Sequence, residues 1–317
     1  MFYYEWYTTR VYIFSILRMK KLFKKIIAFS IPFAFYLIVV LIIDPFSYFK
    51  KNTIVNTEVK EKISKRIEPH LYKILSFENN PKKNILLGDS RTNRLYESIS
   101  PNSNTWSSLG YGASSLNEVL ATFDWIRHEG YQLDSIIIGL NFNLYNKYNK
   151  RTWVEETLER KKNVFSYAFS SYVAKSTFLI LKNSILEEDI DIGKPKISKD
   201  EFWKSSLKNF GNKFYKRYGY PHSYLARLKK ISNYCKDKNI HLIFWIPPCS
   251  SQLNLIVEEY NLTNELQQFQ EDLKGLGELY NFNSDECIIN NKDNFTDPAH
   301  FNFETGNYIY HKMVKFK

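Results

Sequence analysis

Residues 83–94 read KNILLGDSRTNR. Two lysines give way to the run Asn84 to Leu87, which ends at once in Gly88-Asp89-Ser90-Arg91. A short apolar run bounded by turn formers is the pattern of a strand buried on both faces. Gly, Asp and Ser also make turns, so the ending alone says only that a strand stops. In an open parallel sheet, however, the carboxyl ends of the strands carry the chemistry, and a serine set there is a candidate nucleophile. The rest of the chain decides between these readings.

Working outward, TWSSL at Thr105 to Leu109 reads as a second strand. Ser115 to Gly130 has helical spacing through Leu116, Val119, Leu120, Phe123 and Ile126, with Ser114 or Ser115 as cap and Gly130 as stop. SIIIGLNF, Ser135 to Phe142, is a third, continuous strand. Further on, a helical pattern over Ser223 to Asn239 leads into the strand IHLIFWI, stopped by Pro247 and Pro248. A long helical pattern follows from Leu253 to Leu276, and a last one from Glu304 to Val314. Strands alternating with helices at this spacing predict an α/β fold with a parallel sheet. Residues 144–220 form an insertion without a clear strand, read as a helical cap or loops. Residues 44–82 read as a lysine-rich stalk with one helix near Val59 to Leu75, so the α/β domain is expected over 83–317.

The chain has 317 residues, 44% hydrophobic and 17% aromatic, which excludes general disorder. Its net charge of +11 is concentrated near the start, where residues 1–25 hold six basic side chains against Glu5 alone. No nucleic-acid-binding signature accompanies the rest, so no nucleic-acid partner is expected. Ile26 to Ile43 has no charged residue and the length of a membrane-spanning helix. The basic block before it predicts residues 1–25 in the cytoplasm and everything after Asp44 outside. The expected arrangement is a single-pass inner-membrane protein whose catalytic domain is periplasmic or otherwise extracytoplasmic. A cleaved signal peptide and a buried core helix are the competing readings. Met19, opening MKKLFKKII, is expected to be the true initiator. Cys235, Cys249 and Cys287 are widely spaced, which argues against a metal cluster and leaves any single disulfide unassigned.

A serine needs a base within hydrogen-bond reach. Of six histidines, His300 has an acid, Asp297, three residues before it in FTDPAHFNF. Asp297 would fix one ring nitrogen, leaving the other for Ser90. Developing negative charge on a carbonyl oxygen wants preset donors. The Ser90 and Gly110 backbone amides and the Asn141 side-chain amide are the candidates, each following one of the first three strands. Alone, each piece has an ordinary reading as a turn, a helix cap or a strand end. In this order and at these positions they reinforce one another.

Together they resemble the SGNH (GDSL-type) hydrolase superfamily, from about Asn84 to the C-terminus with the insertion uncovered. GDSR is similar to the family's nucleophile block, LGYGAS to its glycine block, GLN to the start of Gly-x-Asn-Asp, and DPAH to the last block. Ser108 stands where the family has Asn, and Phe142 where it has Asp. The resemblance implies a flavodoxin-like three-layer sandwich behind one N-terminal transmembrane helix, with Ser90, Asp297 and His300 as triad. Ser90, Gly110 and Asn141 would form the oxyanion hole, with no cofactor and no metal. The single anchor, GDSRT and DPAHFN look nearest a membrane-anchored subgroup linked to acylation of cell-surface polysaccharide. That implies an esterase or O-acyltransferase acting on acyl groups, acetyl foremost, of a carbohydrate or acylated small molecule, with a membrane acyl-donor protein as candidate partner. The alternative is a non-catalytic accessory or glycan-binding module on the same fold. Arg91 is open between orienting an acid, binding an anionic sugar and being a solvated turn residue.

Overall fold

The computed structural model describes residues 2–50, 55–99, 105–186 and 198–314. Its helices in chain order are α1 (Phe2–Ile43), α2 (Thr57–Ile67), α3 (Pro69–Asn79), α4 (Ser90–Ser98), α5 (Leu116–His128), α6 (Trp153–Lys161) and α7 (Val164–Ala168). They continue with α8 (Ser171–Leu186), α9 (Lys199–Phe210), α10 (His222–Asp237), α11 (Ser251–Glu259), α12 (Thr263–Leu273), α13 (Glu286–Ile289) and α14 (Phe303–Met313). The chain divides into two compact units, residues 68–162 with 191–317 and residues 1–67 with 163–190.

The larger unit is a mixed α/β structure around a five-stranded parallel sheet. Its strands are β1 (Asn84–Gly88), β2 (Trp106–Gly110), β3 (Ser135–Gly139), β4 (His241–Ile246) and β5 (Glu278–Asn281), in the order β2-β1-β3-β4-β5. Successive side chains of a strand point to opposite faces, so each apolar run feeds two cores. Ile85, Leu87, Ile136, Ile138, Leu242 and Phe244 pack into one core with residues of α3, α5, α10, α11 and α12. Leu86, Ile137, Ile243 and Trp245 pack into the other with residues of α4, α9 and α14. This is why NILL and SIIIG are continuous rather than alternating. Each fully buried large apolar side chain contributes about 1.5–3 kcal/mol relative to exposure. The order reverses at β1, whose neighbours are β2 on one side and β3 on the other. The crevice beyond the ends of β1 and β3 is where such sheets place their sites.

Several expected boundaries shift. β2 begins one residue later than TWSSL, and β3 stops at Gly139, after which Phe142–Leu144 make a 3₁₀ turn. Helix α5 keeps its expected caps: Ser115 and Glu118 form a capping box, and Gly130 sits past the end at φ +73°. The single pattern read over Leu253 to Leu276 is two helices, broken where Asn261 takes a φ of +55°. Asn is among the few residues that enter this left-handed region readily. Strand β5 escaped the sequence reading because its four residues, ELYN, are mostly polar and only half-buried. A two-stranded antiparallel hairpin, β6 (Phe295–Asp297) and β7 (His300–Phe301), precedes α14.

The stalk reading also changes. Pro69 ends the helix expected over Val59 to Leu75 and starts α3 at its first turn, where its missing N–H costs nothing. Ile74 and Phe77 of α3 belong to the α/β core, so this unit begins near Glu68, fifteen residues before Lys83. The insertion is likewise divided: residues 163–190 belong to the smaller unit and 198–220 to the larger.

In the smaller unit, Arg18–Ile43 of α1 is long and apolar enough to cross a membrane. Phe29 and Phe35 are about 70% exposed, at 73% and 67%, unlike a core helix. The helix ends in a built corner: Asp44 takes φ +40°, and its carboxylate accepts the N–H groups of Tyr48 at 2.8 Å and Phe49 at 3.1 Å. Ser64 of α2 donates to the Pro45 carbonyl. Ile43, Ile63 of α2 and Ile180 of α8 form a small core there.

Candidate active site

The turn that carries Ser90, the candidate nucleophile, follows from local chemistry. Gly88 ends β1 at φ +152°, and a Cβ there would run into Thr92 of the next helix and the Gly139 carbonyl at 2.8 Å. Only glycine lets α4 start this close to the sheet. Asp89 caps α4, accepting the Arg91 N–H at 2.9 Å. Ser90 is then the first helical residue, its N–H among those with no partner inside a helix. The positive end of α4 lies at Ser90, a favourable place for developing negative charge.

The candidate base comes from the hairpin β6–β7, in which Asp297 and His300 are register partners. Ser90 Oγ and His300 Nε2 are 2.7 Å apart although 210 residues separate them. His300 Nδ1 lies 2.8 Å from Asp297 Oδ2 and 2.9 Å from Oδ1. Oδ1 also accepts the N–H groups of Ala299 at 2.9 Å and His300 at 3.2 Å. Burial alone would raise the Asp297 carboxyl. The hydrogen bond and charge of His300, with those two backbone amides, outweigh it and hold the group below its ordinary range. Asp297 therefore stays ionised, keeps the proton on Nδ1 and leaves Nε2 to accept from Ser90. The packing that brings the hairpin to Ser90 is the core shared by Leu95 of α4 with Phe301, Ile309 and Met313.

Arg91 is not a solvated turn residue. It is 3% exposed, its Nε donates to the Ala299 carbonyl at 2.9 Å, and one terminal nitrogen donates to Asn143 Oδ1 at 3.2 Å. Its guanidinium also lies 3.7 Å from Asp89 Oδ2 and over the Phe210 ring. Burial contradicts the solvated reading, and these bonds make Arg91 a tie between the turn that carries Ser90 and the hairpin that carries Asp297 and His300.

The oxyanion candidates gather on the other side, with some of their capacity committed. Asn141 is buried, and its Nδ2 donates to Asp89 Oδ2 at 2.8 Å, leaving one N–H of the amide. A Cβ on Gly110 would meet the Asp89 carbonyl at 2.9 Å, so this glycine is what lets β2 approach the elbow. The Gly110 N–H is 3.5 Å from Ser108 Oγ, a weak contact. Ser108, in the place of the expected Asn, donates instead to Asn93 Oδ1 at 3.0 Å. Lys73 of α3 donates to Asn93 Oδ1 and to the Gly110 carbonyl. Phe142, in the place of the expected Asp, is a core side chain packed on Tyr218 and Phe269.

Sequence reading missed Lys73 and Asn93, and also a buried cluster beside them. His70 Nε2 is 3.1 Å from Glu118 Oε1, and its Nδ1 is 3.5 Å from Glu68. The ring stacks on Tyr111 at 4.4 Å. Burial disfavours its charged form, but the two glutamates win and push the His70 pKa up. Glu118 also accepts the Ser115 N–H at 2.9 Å, so the pair braces the turn after β2. The available signal was the Pro69 helix start, which would have taken α3 out of the stalk. Cys235 and Cys249 are buried free thiols and Cys287 an exposed one, so none forms a disulfide. No protein-family model matches the chain, and no curated protein matches it.

Proposed function

We propose that the chain is a membrane-anchored serine esterase or O-acyltransferase of the SGNH type, on a flavodoxin-like sandwich, acting on acyl groups of a cell-surface glycan. The observation that carries this reading is the unbroken relay from Ser90 Oγ to His300 Nε2 at 2.7 Å and from Nδ1 to Asp297 at 2.8 Å. The strand order β2-β1-β3-β4-β5 and the place of Ser90 after β1 support the fold assignment.

Ser90 Oγ attacks the acyl carbonyl carbon while His300 Nε2 takes its proton. The carbonyl oxygen becomes an oxyanion beside the Ser90 N–H, the Gly110 N–H and the second N–H of Asn141. Collapse expels the alcohol oxygen, which receives the proton from His300 and leaves the acyl group on Ser90. Water, or a sugar hydroxyl, then gives its proton to His300 and attacks the acyl carbon, and Ser90 Oγ departs, taking that proton back from His300 Nε2. A glycan is supported by the loop before α6, where Arg151 lies over Trp153 at 4.5 Å and Arg217 over Tyr148 at 4.3 Å. Exposed aromatics with cations suit an acidic sugar face. That loop is tied to the turn after β2 by Arg151 N–H donating to Ser115 Oγ at 3.2 Å.

The test is turnover of p-nitrophenyl acetate and labelling by a fluorophosphonate probe, using the full chain in detergent. Wild type should do both and Ser90→Ala neither, with turnover down on the order of 10⁶-fold. An unlabelled wild type of native fold, or equal turnover by Ser90→Ala, would leave the non-catalytic glycan-binding module as the surviving reading.

A further inference from the structure

The segment following α6 is unusually apolar for a surface. From Asn163 to Ile185 it reads NVFSYAFSSYVAKSTFLILKNSI, with Lys175 and Lys182 as its charged residues. Phe165 is 67% exposed, Phe178 65% and Ile185 74%, and Val164 and Phe169 are each 47% exposed. Left in water, each forfeits part of the free energy available on burial. A patch of this kind marks an interaction surface.

Its position relative to α1 identifies what covers it. The Phe169 ring lies 6.4 Å from that of Phe33 and 5.5 Å from that of Tyr36, and the Tyr36 hydroxyl donates to the Ala168 carbonyl at 2.6 Å. Tyr36 and Phe33 lie seven and ten residues before Ile43, so about 10 and 15 Å below the end of the helix. The uncharged stretch 26–43 spans about 27 Å against a hydrocarbon core of about 30 Å. With Lys24 and Lys25 at its other end, α1 has little room to slide outward and lift Phe33 clear.

From this geometry we infer that α7 and α8 form a second, non-spanning membrane contact, seated in the leaflet at the C-terminal end of α1. The inference rests on the reading of 26–43 as a membrane anchor. The start of α7 and the turn between α7 and α8 meet the demand that hydrocarbon makes on backbone groups. Asn163 Oδ1 accepts the N–H groups of Phe165 at 2.9 Å and Ser166 at 3.0 Å. The Phe169 N–H reaches Phe165 O at 3.0 Å, and Ser170 N–H reaches Tyr167 O at 3.1 Å. Along α8 the exposed positions Ser171, Lys175, Phe178, Lys182 and Ile185 recur at helical spacing on one face. Phenylalanine and isoleucine interleaved with lysine suit a helix lying at the interface, with apolar groups down and ammonium groups among phosphates.

The experiment reconstitutes the full chain into vesicles of phosphatidylcholine and phosphatidylglycerol, with an environment-sensitive thiol fluorophore as reporter. Burial pushes the Cys235 thiol up to about 12 and the Cys249 thiol up to about 11, so both stay unlabelled at neutral pH. Exposed Cys287 of the wild type is the aqueous reference. In a Cys287→Ser background, Phe35→Cys reports the anchor, and Phe169→Cys and Phe178→Cys report the hairpin. Brominated lipids should quench positions 35, 169 and 178 to a similar extent, whereas iodide in the buffer should quench position 287 alone. Iodide quenching at both 169 and 178, with 35 still quenched by lipid, overturns the hairpin inference and leaves the anchor standing. Iodide quenching at 35 overturns the anchor reading itself. Shielding of 169 and 178 from both quenchers would replace lipid by a protein partner and equally overturn the inference.

Discussion

On one side of Ser90, Asp297 and His300 stand three residues apart on a single hairpin, and their side chains meet at 2.8 and 2.9 Å. On the other side, donors and their supports come from α3, α4, β2 and the turn after β3, and several are bound to one another. Asn141 holds Asp89 at 2.8 Å, and Lys73 holds the Gly110 carbonyl. A base needs one proton path, and short-range register can fix it. An oxyanion hole needs several N–H groups converging where no atom yet lies, so its partners are set by the whole sheet. Such contacts tighten as charge develops, and long bonds in a resting site are compatible with that.

The comparison can be broken first on the base side. Asp297→Asn keeps the size of the side chain but removes the charge that fixes the His300 tautomer. Turnover of p-nitrophenyl acetate should fall on the order of 10³–10⁴-fold with the fold intact by circular dichroism. A loss below about tenfold, the effect of a mere packing change, would mean that the hairpin does not select the tautomer. On the oxyanion side, Asn141→Ala should lower kcat by about 10²–10³-fold and leave KM almost unchanged. If KM rises and kcat holds, Asn141 serves only as the tether of Asp89.

The same contrast explains what the sequence could convey. Asp297-Pro298-Ala299-His300 is local, and so is Gly88-Asp89-Ser90 behind NILL; both were legible because residue order and strand periodicity suffice. The burial of β1 and of β3 from their second residue onward follows directly from their apolar runs. What stayed hidden depends on distant partners. Arg91 stays open among three readings until the Ala299 carbonyl, 208 positions away, comes within 2.9 Å. Lys73 reads as one more lysine of a polar stretch until α3 packs on the sheet. Strand β5 has too few apolar residues to announce itself, and the α11–α12 break is made by Asn261 without glycine or proline.

The smallest and sharpest expected difference between the flanks lies in the pH dependence of stability. Asp297 has a carboxyl held below its ordinary 3.8, so its contribution is fully present above that value and is lost as pH falls through the native pKa. His70 is raised above its ordinary 6.5 by Glu118 and Glu68, although burial opposes them. Its contribution is fully present below 6.5 and is lost as pH rises through the native pKa. The base flank therefore weakens toward acid and the oxyanion flank toward alkali. Glu118→Gln keeps the size of the side chain and an acceptor for the Ser115 N–H but removes the charge that faces His70. Relative to wild type it should lower Tm by about 2–4 °C below pH 6, the effect of about 1 kcal/mol in a unit of this size. As pH rises past the native His70 pKa the two curves should converge, whereas Asp297→Asn should diverge from wild type most near neutral pH and converge as pH falls past the native Asp297 pKa. Parallel Tm curves for Glu118→Gln and wild type across this range would mean that His70 is neutral throughout, and that the turn after β2 is braced by hydrogen bonding without a charge.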